Sequence, residues 1–293
     1  MRFCDLDSKL KAGRVPLAIC MPEDVDAILA AKEASELGYV DCIFVGNPAV
    51  IDPLLTREAP GFKPRIVEAL TPEAAAAKTV ELVRTGHAKA LMKGTISTPI
   101  LLKAVLNSET GIKMSSVLSH VLVFEWNGSF RFLTDGGMLP HPTLAEKQEI
   151  LMNAVHIAKR LGTAEPKVAV LSAAETVNVK MPSSVDAAVL AKMGERKQFK
   201  GCTVDGPLAL DNAISLESAH HKGLYNDIVG QADILLAPDI DTGNILGKSM
   251  MYFAGMQTGG LIVGATVPVI LLSRSDTKEI RINSIKLALA AGS

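Results

Sequence analysis

Aromatic residues are scarce in this chain of 293 residues, and neither sign of charge is in excess. Only 4% of the residues are aromatic, which argues against the stacking surfaces that bind single-stranded nucleic acid. The 30 basic and 31 acidic side chains give a formal charge of −1, which excludes binding of nucleic acid through bulk charge. A hydrophobic content of 48% excludes a disordered tail. We therefore expect a folded protein with no nucleic-acid partner.

Cysteines are also few and are widely separated. Cys4, Cys20, Cys42 and Cys202 form no C-x-x-C pair, so the sequence indicates neither a disulfide framework nor a zinc site. The scattered thiols predict a reduced, cytoplasmic protein with no bound metal.

Signals for export or for membrane insertion are missing as well. Asp5 and Asp7 stand where a signal peptide needs an apolar core. The longest uncharged stretch lies between Lys248 and Arg274, but it contains several polar residues and Pro268. It predicts a buried helix followed by two core strands, with no membrane partner.

Apolar, β-branched runs alternate with helical patterns, which is typical of parallel strands joined by helices. The sequence predicts a first unit from a strand at 15–20, a helix at 23–37 and a strand at 42–45. It next predicts a helix at 71–86, opened by Thr71-Pro72 and closed by Gly86, and then a strand at 88–92.

An antiparallel hairpin is predicted in the middle of the chain. The strand patterns 117–126 and 129–133 flank Asn127-Gly128, a strong hairpin turn, and Thr143 and Glu146 form a capping box shortly afterwards. We expect a two-lobed α/β fold of mostly parallel sheets with helices on both faces. The first lobe is predicted to comprise residues 1–135 plus 268–293, and the second residues 136–267.

Three predicted strands end in polar segments that are candidates for ligand binding, because ligands of open α/β sheets lie beyond the carboxyl ends of strands. The first is Lys93-Gly94-Thr95, at a helix N-terminus that favours an anion. The second, Pro238 to Asn244, includes Asp239, Thr242 and Gly243, with Lys248 one turn further on. Each segment also has a simpler interpretation, a solvated lysine in the first case and a capped turn in the second.

The third segment starts at Ser273-Arg274 and continues to Asp276 and Glu279. An arginine at a strand end suits a phosphate because its planar fork donates in pairs. The two acids share one helix face, but they also fit an N-cap with its partner in the first turn. His141, between two prolines, is a further candidate for ligand contact. No P-loop, dinucleotide fingerprint or G-x-S-x-G elbow occurs.

With these segments in place, the chain resembles the phosphate acetyltransferase and phosphate butyryltransferase family. The resemblance is densest at 91–98 (LMKGTIST), 203–213 (TVDGPLALDNA), 232–246 (ADILLAPDIDTGNIL) and Ser273-Arg274, and the second and last segments look more like the butyryl branch. It implies a fold similar to isocitrate and isopropylmalate dehydrogenases, with an active-site cleft between the lobes. It also implies transfer of a short acyl group between coenzyme A and phosphate, with coenzyme A as a substrate and no permanently bound cofactor.

The resemblance also implies residue roles. Ser273 would stabilise the developing charge, Arg274 would hold phosphate, and a carboxylate would accept the thiol proton. Acetyltransferases place that carboxylate as an aspartate seven residues after the serine, where this chain has Ile280, so Glu279 is the first choice and Asp276 the second.

The remaining predicted contacts belong to substrate binding. Lys93, Gly94, Thr95 and the 239–244 loop are expected to line the cleft, and Lys103 or Lys113 to meet the phosphates of coenzyme A. A homo-oligomer is also expected. Three alternatives stay open: phosphate acetyltransferase, an oxidoreductase on a hydroxy acid in the same fold, and a non-catalytic protein that binds coenzyme A or acyl phosphate.

Overall fold

The computed structural model describes residues 1–10, 13–272 and 276–292. Strands and helices alternate through the described residues. In chain order they are α1 (Phe3–Leu10), β1 (Val15–Cys20), α2 (Val25–Glu36), β2 (Val40–Gly46), α3 (Pro48–Glu58), β3 (Arg65–Glu68), α4 (Pro72–Arg84), β4 (Ala90–Lys93), α5 (Thr98–Val105), β5 (Ser119–Trp126), β6 (Ser129–Thr134), α6 (Leu144–Arg160), β7 (Lys167–Leu171), α7 (Pro182–Glu195), β8 (Thr203–Leu208), α8 (Leu210–Ile214), α9 (Leu216–His221), β9 (Ile234–Leu236), α10 (Ile240–Tyr252), β10 (Thr258–Val263), β11 (Val269–Ile270) and α11 (Lys278–Gly292).

The chain forms two compact units. One, the split unit, comprises residues 2–115 and 259–293; the other, the middle unit, comprises residue 1 and residues 116–258. These bounds differ from the predicted lobes, because the hairpin β5–β6 pairs through β6 with β9 and so groups with the later strands.

In the split unit the strands lie in the order β3-β2-β1-β4-β11-β10. β1 pairs in parallel with β2 on one side and with β4 on the other, and β11 is parallel to β4. β10 runs antiparallel to β11. The chain therefore proceeds from β1 to β2 and β3 in one direction and then crosses to β4 on the opposite side of β1. The β1–β4 pair is a topological switch point.

Burial explains why these strands have continuous apolar sequences. The four residues Leu17 to Cys20 of β1 are all fully buried, so both faces of the strand are covered, as is usual for parallel sheets. The predicted start and end of α4 are confirmed. Thr71 accepts a hydrogen bond from the Ala74 N–H at 3.2 Å and begins α4 ahead of Pro72, and Gly86 follows its end with φ of 78°.

The middle unit has the strand order β5-β6-β9-β7-β8. The predicted hairpin is confirmed: β5 and β6 are antiparallel, and Asn127 and Gly128 turn between them with φ values of 49° and 76°. The capping box of α6 is confirmed as well, with the Thr143 N–H donating to Glu146 at 2.7 Å and the Glu146 N–H donating to Thr143 at 3.3 Å.

The expectation of a buried helix in the uncharged stretch after Lys248 is wrong. The helix, α10, begins at Ile240, where Asp239 caps it. Its end is not buried: Tyr252 is 68% and Phe253 92% exposed. Within the residues that the structure describes, no helix is both long and apolar enough to cross a membrane.

Candidate active site

The switch point places the carboxyl ends of β1 and β4 side by side, with Cys20 paired to Lys93. The crossover connections on the two sides of this point leave in opposite directions, which opens a crevice between them. In open α/β sheets, ligands bind in this crevice. Met21 to Asp24 follow β1, and Gly94 and Thr95 follow β4. The first predicted polar segment therefore lies at the switch point of the split unit.

The loop after β4 is fixed to the end of β1 and to the loop after β1 by three hydrogen bonds. The Gly94 N–H donates to the Cys20 carbonyl at 2.8 Å, and Thr95 donates to the Met21 carbonyl through its N–H at 2.7 Å and its hydroxyl at 3.1 Å. A Cβ atom on Gly94 would lie 2.0 Å from the Met21 carbonyl oxygen, so this close approach requires glycine. The backbone thus holds Lys93 and Thr95 at fixed positions.

A cavity of about 300 Å³ opens at this point of the split unit. Its lining brings together the end of β4 and the loop after it, the start of α2, the second residue after β11 and one residue of α11. The lining residues are Asp24, Asp26, Ala27, Lys93, Gly94, Thr95, Leu272 and Arg281. Three of the predicted substrate-binding residues therefore share one cavity.

Two carboxylates of this cavity have defined partners. Asp24 is the N-cap of α2 and accepts a hydrogen bond from the Ala27 N–H at 2.6 Å. Asp26 forms an ion pair with Arg281 at 2.7 Å between Oδ1 and Nη1. The Arg281 guanidinium lowers the pKa of Asp26. The hydrogen bond with Asp26 raises the pKa of Arg281 despite its burial, and the charges of Asp276 and Asp24 act in the same direction.

The sequence interpretation misses Asp24, Asp26 and Arg281. The rule that selects polar residues at strand ends can find Asp24, since it follows the end of β1 by a few residues. Arg281 carries no such signal, because it stands inside a helix and meets Asp26 only through the fold.

Ser273 and Arg274 lie outside the described residues, so their predicted roles stay predictions. Leu272, the residue before them, lines the cavity. Asp276 is half-buried, whereas Glu279 is exposed. The helix cap is Thr277 rather than Asp276, because the Thr277 hydroxyl accepts a hydrogen bond from the Ile280 N–H at 3.3 Å. Asp276 is therefore not the N-cap of α11, and Glu279 is not the first-turn partner of such a cap.

Neither Lys103 nor Lys113 lines the cavity at Lys93. Lys103 is exposed on α5 and borders a separate cavity of about 520 Å³ that also includes Arg84 and Glu81. Lys113 is exposed and forms an isolated antiparallel β-bridge with Ala265. The proposed contacts of these lysines with coenzyme A remain predictions.

The second predicted segment lies in the middle unit, at the start of α10. Asp239 caps this helix by accepting from the Thr242 N–H at 2.8 Å. Burial raises the pKa of Asp239, but the hydrogen bonds from Thr242 and the charges of His141 and Lys147 outweigh burial and lower the pKa overall. The capping interpretation of Asp239 is thus confirmed, and His141 lies within electrostatic reach of it.

The other members of this segment hold the start of α10 against the loop after β6. The Asn244 side chain donates to the Gly136 carbonyl at 2.9 Å. A Cβ atom on Gly243 would lie 2.3 Å from the Asp135 carbonyl oxygen, so glycine is required there. Thr242 and Lys248 are exposed.

Asp135 organises the loop after β6 and is not among the predicted site residues. Asp135 is only 2% exposed. Its carboxylate accepts four hydrogen bonds from backbone N–H groups. The donors are His120 at 3.1 Å, Gly137 at 2.8 Å, Met138 at 3.1 Å and Leu139 at 3.0 Å. One buried carboxylate thus satisfies donors from β5 and from the loop.

We expect Asp135→Asn to lower the free energy of unfolding by about 2 kcal/mol. Oδ1 accepts three of the four hydrogen bonds and Oδ2 accepts the one from Leu139, so an amide NH₂ group in place of Oδ2 faces the Leu139 N–H and leaves it without an acceptor. Urea unfolding measures this change. Asp52→Asn, at an exposed position, is the matched control and should change stability by less than about 0.5 kcal/mol. Equal stability of the two variants would contradict the role of Asp135.

Within residues 1–10, 13–272 and 276–292, no group of three or more histidine, cysteine, aspartate or glutamate side chains is arranged to hold a metal ion.

The chain is similar to known phosphate acyltransferases over most of its length. The family described as phosphate acetyl/butaryl transferase matches residues 50–289. A phosphate butyryltransferase from Clostridium acetobutylicum is 42% identical over 99% of this chain and 98% of its own length. The crystal structure of a branched-chain phosphotransacylase from Enterococcus faecalis V583 is 37% identical with a TM-score of 0.83, covering 95% of this chain and 99% of that one.

The expected similarity of the fold to dehydrogenases is found as well. A putative 4-hydroxythreonine-4-phosphate dehydrogenase from Salmonella typhimurium has a TM-score of 0.59, at 17% identity over 95% of this chain and 99% of that one. At this identity the likeness concerns the fold alone. Since the family match covers most of the chain and the clostridial relative nearly all of it, this chain belongs to the phosphate acetyl/butaryl transferase family and is a phosphate acyltransferase.

Proposed function

We propose that this enzyme transfers a butyryl or similar short acyl group between coenzyme A and inorganic phosphate. The observation that carries the proposal is the near full-length likeness to a phosphate butyryltransferase. The cavity at the β1–β4 switch point supports it, because two cations, Lys93 and Arg281, line a site where a ligand of an open α/β sheet binds.

The reaction can be written in the direction of acyl phosphate formation. An oxygen of HPO₄²⁻ attacks the thioester carbonyl, a C–O bond forms, and the C–S bond breaks as the intermediate collapses. The proton of the phosphate is lost and the departing thiolate gains one, so the products are acyl phosphate and the free thiol of coenzyme A. In the reverse direction a carboxylate accepts the thiol proton, which helps because a thiol with a pKa of about 8.5 is only slightly ionised at neutral pH.

The residue roles follow from resemblance and position. Ser273 stabilises the negative charge that develops on the carbonyl oxygen, and Arg274 holds the phosphate. Between the two candidate carboxylates the geometry favours Asp276, because it is half-buried and its charge acts on Arg281, a residue of the cavity, whereas Glu279 is exposed to solvent. Lys93 and Thr95 line the anion site.

Measuring thiol release from acetyl-, propionyl-, butyryl- and isobutyryl-CoA, with and without phosphate, tests the proposal. We expect phosphate-dependent release that is fastest with a four-carbon acyl group. A single methylene in an apolar pocket is worth roughly 1–3 kcal/mol, so the preference should exceed tenfold over acetyl-CoA. Fastest release from acetyl-CoA would favour the acetyltransferase alternative, and no phosphate-dependent release from any of them would overturn the proposal.

Arg274→Ala is expected to raise the KM for phosphate or to lower kcat at least tenfold, which corresponds to about 1.4 kcal/mol. Initial rates at varied phosphate concentration measure it. Arg57→Ala removes an exposed arginine of α3 and should leave both constants unchanged. Kinetics of Arg274→Ala equal to those of Arg57→Ala would remove Arg274 from the site.

Acyl-CoA and phosphate are the proposed substrates, with coenzyme A in the role of substrate rather than resident cofactor. A cytoplasmic location and self-association stay predictions of the sequence.

A further inference from the structure

Arg281 has hydrogen-bonding capacity that the described residues do not use. Its side chain is only 14% exposed, and it lines the cavity at the β1–β4 switch point. Nη1 contacts Asp26, but the buried Nε has no hydrogen-bond partner among the described residues. A guanidinium carries five N–H donors in a planar fork, so one carboxylate contact leaves other donors for a ligand.

The surroundings of Arg281 favour an anion as that ligand. Lys93 is a second cation in the wall of the same cavity. The two acids of the lining are engaged locally, Asp24 by the cap of α2 and Asp26 by Arg281 itself. Asp26 is 62% exposed and stands on the first turn of α2, and its ion pair restrains the guanidinium at the cavity wall.

We propose that Arg281, oriented by Asp26, binds the phosphate group of the substrate in this cavity. The inference rests on the proposed function and deepens it, because it adds a phosphate contact on α11 that the family resemblance does not imply. Arg281 makes the contact, and Asp26 is a positioning residue that acts through it. Bidentate donation by arginine suits the oxygens of a phosphate, whereas an uncharged acyl chain offers no such acceptors.

The test compares Arg281→Gln, Arg281→Lys and Asp26→Asn in steady-state kinetics with phosphate and acyl-CoA varied separately. We expect Arg281→Gln to raise the KM for phosphate at least tenfold and to change the KM for acyl-CoA less than twofold. Arg281→Lys should recover part of the loss, since it keeps the charge but not the fork. Asp26→Asn should raise the KM for phosphate about threefold, since the guanidinium loses its orientation.

The matched controls remove a similar ion pair at the opposite end of β1. Arg14 pairs with Asp41 at 3.3 Å, and both side chains are more than half exposed. Arg14→Gln and Asp41→Asn should leave both KM values unchanged. Thermal unfolding of every variant separates loss of folding from loss of binding.

The outcomes are separable. A folded Arg281→Gln enzyme whose KM for phosphate equals that of the wild type overturns this inference alone. Equal increases of both KM values, or a fall in unfolding temperature without any change in KM, assign Arg281 a structural role and overturn it too. If the wild type itself shows no phosphate-dependent release of coenzyme A, the proposed function fails; calorimetric titration of inorganic phosphate onto wild type and Arg281→Gln then decides the binding claim independently.

Discussion

Gly94→Ala is expected to lower kcat/KM for phosphate-dependent acyl transfer at least about 100-fold, equivalent to about 2.7 kcal/mol. The added Cβ atom would lie 2.0 Å from the Met21 carbonyl oxygen and 2.9 Å from the Cys20 carbonyl oxygen, both of them backbone atoms. The two loops must separate, which breaks the hydrogen bonds that hold Thr95 to Met21. Displacement of a binding group by about 1 Å is enough to cost this much activity.

Initial-rate kinetics and urea unfolding together test this prediction. We expect a loss of about 2–4 kcal/mol in the free energy of unfolding as well, because the backbone hydrogen bonds from Gly94 to Cys20 and from Thr95 to Met21 are lost. Gly13→Ala is the matched control: apart from its chain neighbours, no described residue has an atom within 4 Å of the position that the new methyl group would occupy, so both quantities should stay near wild type. A fully active Gly94→Ala enzyme would show that the β1–β4 switch point is not the site.

Asp276→Asn is expected to lower kcat about 100-fold or more at neutral pH, within the range typical of a lost general acid or base. The amide keeps the size and one oxygen of the side chain but cannot take the thiol proton. Because proton transfer occurs in the transition state, kcat should fall while the KM for phosphate changes less than about threefold.

Glu279→Gln is both the control and the competing assignment. It removes an exposed carboxylate on the first turn of α11, three residues after Asp276, and should lower kcat less than threefold. The reverse pattern, with activity lost only in Glu279→Gln, would assign the proton transfer to Glu279, as the sequence resemblance favours. Loss of activity in neither variant would remove the carboxylate step from the mechanism.

The sequence predicts those features that local chemistry determines. It finds β1, the hairpin and the starts of α4 and α6, because apolar runs, Asn-Gly turns and capping residues act over a few positions. It identifies the segment Lys93-Gly94-Thr95 for the same reason, as a polar turn between a buried strand and a helix.

Features that depend on distant parts of the chain escape prediction. The ion pair between Asp26 and Arg281 joins the second helix to the last, and each residue alone resembles an ordinary surface charge. From the order of elements along the chain, the sequence analysis assigns the hairpin to the first lobe. In the structure, strand β6 of the hairpin pairs with β9, which lies about 100 residues later in the chain. Asp135 gives no signal in the sequence, because its role depends on four backbone donors that only the folded loop brings together.

The most direct test of the central claim is ³¹P nuclear magnetic resonance of the enzyme with butyryl-CoA and inorganic phosphate. We predict the appearance of butyryl phosphate in a one-to-one ratio with released coenzyme A, at the expense of the phosphate signal. Release of coenzyme A without an acyl phosphate signal, or no reaction while acyl-CoA still binds, would contradict the claim that this chain transfers an acyl group to phosphate.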